Sequence, residues 1–167
     1  MAAFSTNNYF FLTEGSNEVI EYLPAPSQND DRLEITNLKP GRRYRLKLYA
    51  VNNDVVSEPT TLYMDTHVPR PKKFNAIQAT PNILAMNWLK PHKDVTHYTL
   101  RVLGPGGKEI INNMQLSAST TSYRIENLHP DTRYRIYLTS WIGDVASQPS
   151  YKSRHTSAHV RLFKKYT

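Results

Sequence analysis

The chain has 167 residues, 39% apolar and 21% charged, with 11 prolines, six glycines and a formal net charge of +7. That length holds one domain or two small ones, each near the size at which a single core suffices, and the composition is globular rather than disordered or collagen-like. No cysteine is present, which excludes disulfide frameworks, thiolate metal sites and cysteine nucleophiles.

The N-terminal stretch MAAFSTNNYFFLTEG has no basic n-region and only the apolar run YFFL, so it does not read as a secretory leader. No segment approaches the ~18 apolar residues of a membrane span. The charge is uneven: residues 1–66 carry six Lys/Arg against nine Asp/Glu, a net of −3, and the remainder carries +10. In NLKPGRRYRLKLYA (37–50), Tyr44, Leu46, Leu48 and Ala50 alternate with Arg43, Arg45, Lys47 and Tyr49, the period of a half-buried strand. Basic side chains interleaved with tyrosines would also suit a nucleic-acid groove, but the acidic surroundings of this stretch speak against it. NNDVVSEP (52–59) reads as a hairpin.

Further along, NILAMNWLKP points Leu84, Met86 and Trp88 inward before Pro91 ends the strand, and HYTLRVLGPGG does the same with Tyr98, Leu100 and Val102. The turn after it sets Pro105 ahead of Gly106, the type II order, because Pro fixes φ and Gly accepts a positive one. IENLHPDTRYRIYL (125–138) then repeats ITNLKPGRRYRLKL (35–48) at an offset of 90. The register continues ungapped through Asp54/Asp144, Val55/Val145, Ser57/Ser147, Pro59/Pro149 and Thr66/Thr156. A constant offset of domain length marks two copies of one module, and nothing reads as a helix longer than a turn or two.

Short strands, an inward Trp and a Leu-x-Pro-x-x-x-Tyr element resemble the fibronectin type III family. The residues carrying the resemblance are Pro71, Trp88, Pro91, Tyr98, Leu128, Pro130, Tyr134, Pro149 and Thr156, which span 69–156. It implies an all-β fold of tandem immunoglobulin-like sandwiches, with a module at 68–157 and a partial one, strands C to G only, at 1–67. Counting back ninety makes NNYFFLTEG the first copy's strand C, with Phe10 and Leu12 inward and no residues for strands A and B. Uncovering a few hundred Å² of core at ~25 cal/mol/Å² costs several kcal/mol, so the first module is expected to fold loosely unless something covers it. Residues 158–167 resemble the residues after Thr66 and read as a linker or the start of a third module. DVTHYTLRV and WIGDVASQPS look most like repeats of vascular endothelial-type receptor tyrosine phosphatase ectodomains.

The resemblance implies a structural role for Trp88, Tyr98, Leu128, Pro130 and Tyr134, and for Leu38, Pro40 and Tyr44 in the first copy. Candidate binding residues are outward basic positions on strands C, F and G, namely Arg101, Arg133, Arg135, Lys152 and Arg154, expected to gather on one sheet face. The partner would be a protein or an acidic polysaccharide, with no nucleic acid. Loop candidates are Asp54 and Asp144 in the two F–G hairpins and Lys93 in the B–C loop. The enzymatic motifs fail on parts: there is no G-x-S-x-G, glycine-rich phosphate loop or H-E-x-x-H. His155 and His159 do not converge at strand spacing, so no metal and no cofactor is expected. The expected role is that of non-catalytic spacer and recognition modules of a cell-surface or extracellular protein, with an intracellular scaffold and a matrix-type polyanion binder as alternatives.

Overall fold

The computed structural model describes residues 6–14, 18–24, 34–52 and 55–158. The chain divides into two compact units, Met1–His67 and Val68–Thr167. In the first, strands β1 (Thr6–Glu14), β2 (Glu18–Pro24), β3 (Arg43–Asn52), β4 (Val55–Val56) and β5 (Thr60–Asp65) form one antiparallel sheet. Its order is β2-β1-β3-β4, with β5 also paired to β3. Phe10 and Leu12 stand opposite Leu48 and Leu46.

The described residues of the second unit hold eight strands: β6 (Lys72–Ala79), β7 (Leu84–Leu89), β8 (His97–Leu103), β9 (Glu109–Ser117), β10 (Ser122–Ile125), β11 (Arg133–Ile142), β12 (Val145–Ala146) and β13 (Ser150–His155). One sheet runs β10-β7-β6, and the other runs β12-β11-β8-β9 with β13 on the far side of β11. The period-two pattern explains the core between them. Leu84, Met86 and Trp88 on β7, Tyr98, Leu100 and Val102 on β8, and Tyr134, Ile136 and Leu138 on β11 are all at most 2% exposed. Each such side chain taken from water contributes roughly 1.5–3 kcal/mol. Trp88 sits edge-on to both Phe74 and Tyr98, with ring centroids 6.4 and 5.6 Å away. After β8, Gly106 takes φ 64° and the Gly107 amide donates to the Gly104 carbonyl, closing the expected turn. A single 3-10 turn, Pro105–Gly107, is the only helical element among the described residues.

The offset of ninety is visible strand by strand, since β3, β4 and β5 map onto β11, β12 and β13 residue for residue. The residues that recur between strands do so because each has a backbone task. Asn37 and Asn127 both take a left-handed φ, 60° and 59°, which Asn tolerates better than most side chains. The Tyr44 and Tyr134 hydroxyls each accept from an amide five residues back, Lys39 and His129, at 2.9 Å. Thr66 and Thr156 each donate to the carbonyl of that same residue at 2.6 Å. Ser57 and Ser147 accept from the Ala50 and Ser140 amides at 3.0 and 3.1 Å. Leu128 is buried and Pro130, Leu38 and Pro40 are half-buried around these corners.

In the first unit the described core is small. Tyr44 and Leu46 there are buried with Ile35, Leu38, Leu48 and Met64 against them, but Leu62, opposite Leu46, is 55% exposed.

Candidate functional site

Because Tyr134, Ile136, Leu138, Ser140 and Ile142 point into the core, β11 presents Arg133, Arg135, Tyr137, Thr139 and Trp141 on its other face. Cross-strand register extends this into a stripe. Tyr137 stands between Arg101 on β8 and Tyr151 on β13, Thr139 opposite Thr99, and Trp141 opposite His97. The Tyr137 and Tyr151 rings are 5.1 Å apart and tilted, and His97 stacks on Trp141 at 5.4 Å with 11° between the planes. The Trp141 indole N–H donates to Thr99 Oγ1 at 3.0 Å. Arg101 is held by Glu109, with Nη2 to Oε1 at 2.7 Å, and Arg133 Nε donates to Ser153 Oγ at 2.8 Å. The outcome is a rigid face, basic toward the start of β11 and aromatic toward its end.

Three of the five basic candidates, Arg101, Arg133 and Arg135, share that face. Lys152 and Arg154 do not, which corrects the expectation that all five gather together. Lys152 is in register with Ile136 and Arg154 with Tyr134, and directly opposed residues in an antiparallel pair point to the same side of the sheet. Both therefore lie on the core side of β13, which is an edge strand that β6 leaves partly uncovered. Alternation with polar residues outward is a rule that edge strands break with inward-pointing charges. The repeat carried the missing signal, since Lys152 and Arg154 align with the apolar Leu62 and Met64.

Two clefts follow the seam between the edges of β6 and β13. One, of about 600 Å³, is lined by Ala76, Ile77, Ala79, Arg133, Ser153, Arg154 and His155. The other, of about 510 Å³, is lined by Arg70, Pro71, Lys73, Phe74, Asn75, Pro149, Ser150, Tyr151 and Lys152. Of the loop candidates, Asp144 is exposed at the tip of the β11–β12 hairpin beside Gly143 at φ 56°, and Lys93 is exposed between β7 and β8. Both sit at the end of the sandwich where His97 meets Trp141, and no ion pair joins them. Asp54 and His159 lie outside the described residues, as does all of 158–167 except Ala158. No group of three or more His, Asp or Glu that could hold a metal occurs among the described residues. No helix of the described residues is long and apolar enough to cross a membrane.

In the first unit, the position matching Arg133 is Arg43, whose Nε lies 2.8 Å from Asp65 Oδ1. The hydrogen bond and charge of each raise the Arg43 guanidinium and hold the Asp65 carboxyl below its ordinary range. In the core, burial pushes the Tyr98 phenol up, partly offset by the Trp88 indole.

Two facing antiparallel sheets, an inward Trp and a tyrosine corner at the head of β11 define an immunoglobulin-like β-sandwich module. The fibronectin type III domain family matches residues 69–156, so the chain belongs to that family. Tenascin of Gallus gallus is 30% identical over 128 residues, 77% of this chain and 7% of its own. Human tenascin-N is 30% identical over 118 residues, 70% of this chain and 9% of its own. The collagen alpha-1(XII) chain of Oryctolagus cuniculus is 26% identical over 149 residues, 89% of this chain and 22% of its own. The chain thus spans less than a tenth of the tenascins it matches. Among solved structures, a segment of two fibronectin type III domains from chicken tenascin covers 93% of this chain and 86% of its own, with TM-score 0.73 and 23% identity, a likeness of fold.

Proposed function

We propose that the chain acts as non-catalytic spacer and protein-recognition modules of an extracellular adhesion or matrix protein. The observation that carries this is the outward face of β8, β11 and β13, where arginines and paired aromatic rings are fixed on rigid strands. Tyr, Trp and Arg are the side chains enriched at the energetic centres of protein interfaces, because they bury large area at modest entropic cost. Tenascins and a collagen chain as relatives support an extracellular setting over an intracellular scaffold. The finer likeness to receptor tyrosine phosphatase ectodomains rests on DVTHYTLRV and WIGDVASQPS alone.

A surface coated with the full chain tests the reading. Cells are expected to attach to it above an albumin-coated control, and Arg135→Glu with Tyr137→Ala is expected to abolish the excess. Attachment at the albumin level, or attachment indifferent to the double variant, overturns it.

A further inference from the structure

We propose that the free edge of β13 in the second unit takes up an extended acidic segment of a partner protein as an added antiparallel strand, with carboxylates opposite Lys152 and Arg154. The proposal adds a second recognition surface and does not rest on the Arg135 and Tyr137 face.

The backbone supplies the first argument. Strand β13 pairs only with β11, and β6 only with β7. Among the described residues, no backbone hydrogen bond joins β6 to β13. Ser150 Oγ donates to the Pro71 carbonyl at 3.1 Å and Ser157 Oγ to the Ala79 carbonyl at 2.9 Å, which ties the seam at its two ends and leaves the stretch between them unpaired. The Thr156 amide donates to the Thr132 carbonyl at 3.0 Å, and bonds toward one neighbour fall on every second residue of an antiparallel strand. Ser150, Lys152 and Arg154 therefore turn their backbone groups to β11, while Tyr151, Ser153 and His155 turn theirs to the seam. A row of unpaired N–H and C=O groups is a template for one more strand.

The side chains choose which strand. Residues of an added strand opposite Lys152 and Arg154 fall at non-hydrogen-bonded positions, where Cα atoms approach to about 4.5 Å and side chains are closest. They also point to the same side as Lys152 and Arg154. Neither cation enters an ion pair among the described residues, and the same holds for Arg70 and Lys73, which line the cleft with Lys152. Neither cleft of the seam has a carboxylate in its lining. Inward charges on an edge repel an ordinary strand. A strand with carboxylates two residues apart turns that repulsion into two cross-strand ion pairs. The device that keeps other strands off the edge is thus what admits an acidic one.

The repeat shows that these cations are not a requirement of the strand, since β5 has Leu62 and Met64 where β13 has Lys152 and Arg154. Across the seam, Lys72 pairs with Leu89 and Asn75 with Asn87, so Lys73 and Phe74 together face Trp88 in a β-bulge. Phe74 takes the buried place, and Lys73 joins the cleft wall that faces Lys152. A bulge re-aims a side chain, here toward the same acidic occupant. A polyanion with no peptide backbone would meet the cations but leave the edge groups of Tyr151, Ser153 and His155 to water, which favours a peptide.

The probe is a blocked, fluorescein-labelled peptide, Thr-Glu-Thr-Glu-Thr, titrated with the full chain and read by fluorescence anisotropy. Saturable binding is expected, weakened about tenfold or more by each of three changes. One is the isomer Thr-Thr-Glu-Glu-Thr, which keeps the charge and loses the spacing. Another is N-methylation of the central threonine, which keeps the charge and removes an N–H aimed at the edge. The third is Lys152→Glu/Arg154→Glu, which should instead bind Thr-Lys-Thr-Lys-Thr better than the wild type does. The control Lys90→Glu/Arg124→Glu, which also lowers the net charge from +7 to +3, is expected to bind the acidic peptide like the wild type. Should the β13 variant melt early by Trp fluorescence, Lys152→Leu/Arg154→Met, which installs the first unit's own residues, replaces it with the same expected loss. Absence of saturable binding, equal binding of the isomer or the N-methylated peptide, equal loss in the control, or binding of a heparin oligosaccharide at the seam in place of the peptide overturns the proposal.

Discussion

Replacing Tyr134 with Phe removes one oxygen from a side chain that is 1% exposed and leaves its packing intact. What is lost is the acceptor for the His129 amide, 2.9 Å away in a part-buried corner. An N–H left without its partner bears its desolvation penalty uncompensated, about 1–3 kcal/mol. For a unit of about 100 residues, each 1 kcal/mol moves Tm by roughly 4–8 °C, so a fall of about 4–24 °C is expected. The assay is favourable because both tryptophans of the chain, Trp88 and Trp141, belong to the second unit, so indole fluorescence follows that unit alone within the intact chain. Urea unfolding should show a lower midpoint with an unchanged slope, the mark of a stability change without altered exposure. A midpoint within error of the wild type would refute the corner as a stabilising element and leave the repeated tyrosine unexplained.

Trp88→Ala, which opens a cavity between Phe74 and Tyr98, is expected to cost about 3–5 kcal/mol and to remove most of the second unit's cooperative transition in the calorimeter. The Asp65 carboxyl should titrate below an ordinary aspartate in an NMR pH series and return toward it in Arg43→Gln. Because its folded-state pKa is lowered, the small stabilisation from this exposed pair is present above the unfolded value and lost as pH falls. Tyr98 behaves oppositely: with its folded pKa raised above the ordinary 10.0, its contribution is intact below that pH and lost as pH rises further. Ultraviolet titration of the wild type against Tyr98→Phe should accordingly show Tyr98 ionising late, together with unfolding.

Strands β7, β8 and β11 were legible because each is flanked by loop residues and buries alternate side chains, as Leu84, Met86 and Trp88 do. The corners were legible because Asn, Tyr, Thr and Ser perform the same hydrogen-bonding tasks twice. The outer aromatic stripe was harder to see: His97 and Trp141 are 44 residues apart and meet only through the β8–β11 register. Lys152 and Arg154 were not legible, because on an edge strand polarity does not report orientation, and both stand in register with core residues of β11. The register shift between Lys72 and Asn75 was hidden as well, because a bulge leaves no mark on a period-two pattern. Aligning β13 with β5, rather than reading β13 by itself, exposes both the orientation and the gain of charge.

The most direct test of recognition by the second unit is attachment of cells to surfaces coated with the intact chain or with its Arg135→Glu/Tyr137→Ala variant, once Trp fluorescence shows that the two melt alike. The account predicts attachment above albumin for the wild type and at the albumin level for the variant. Equal attachment to both, or attachment to neither above albumin, would contradict it.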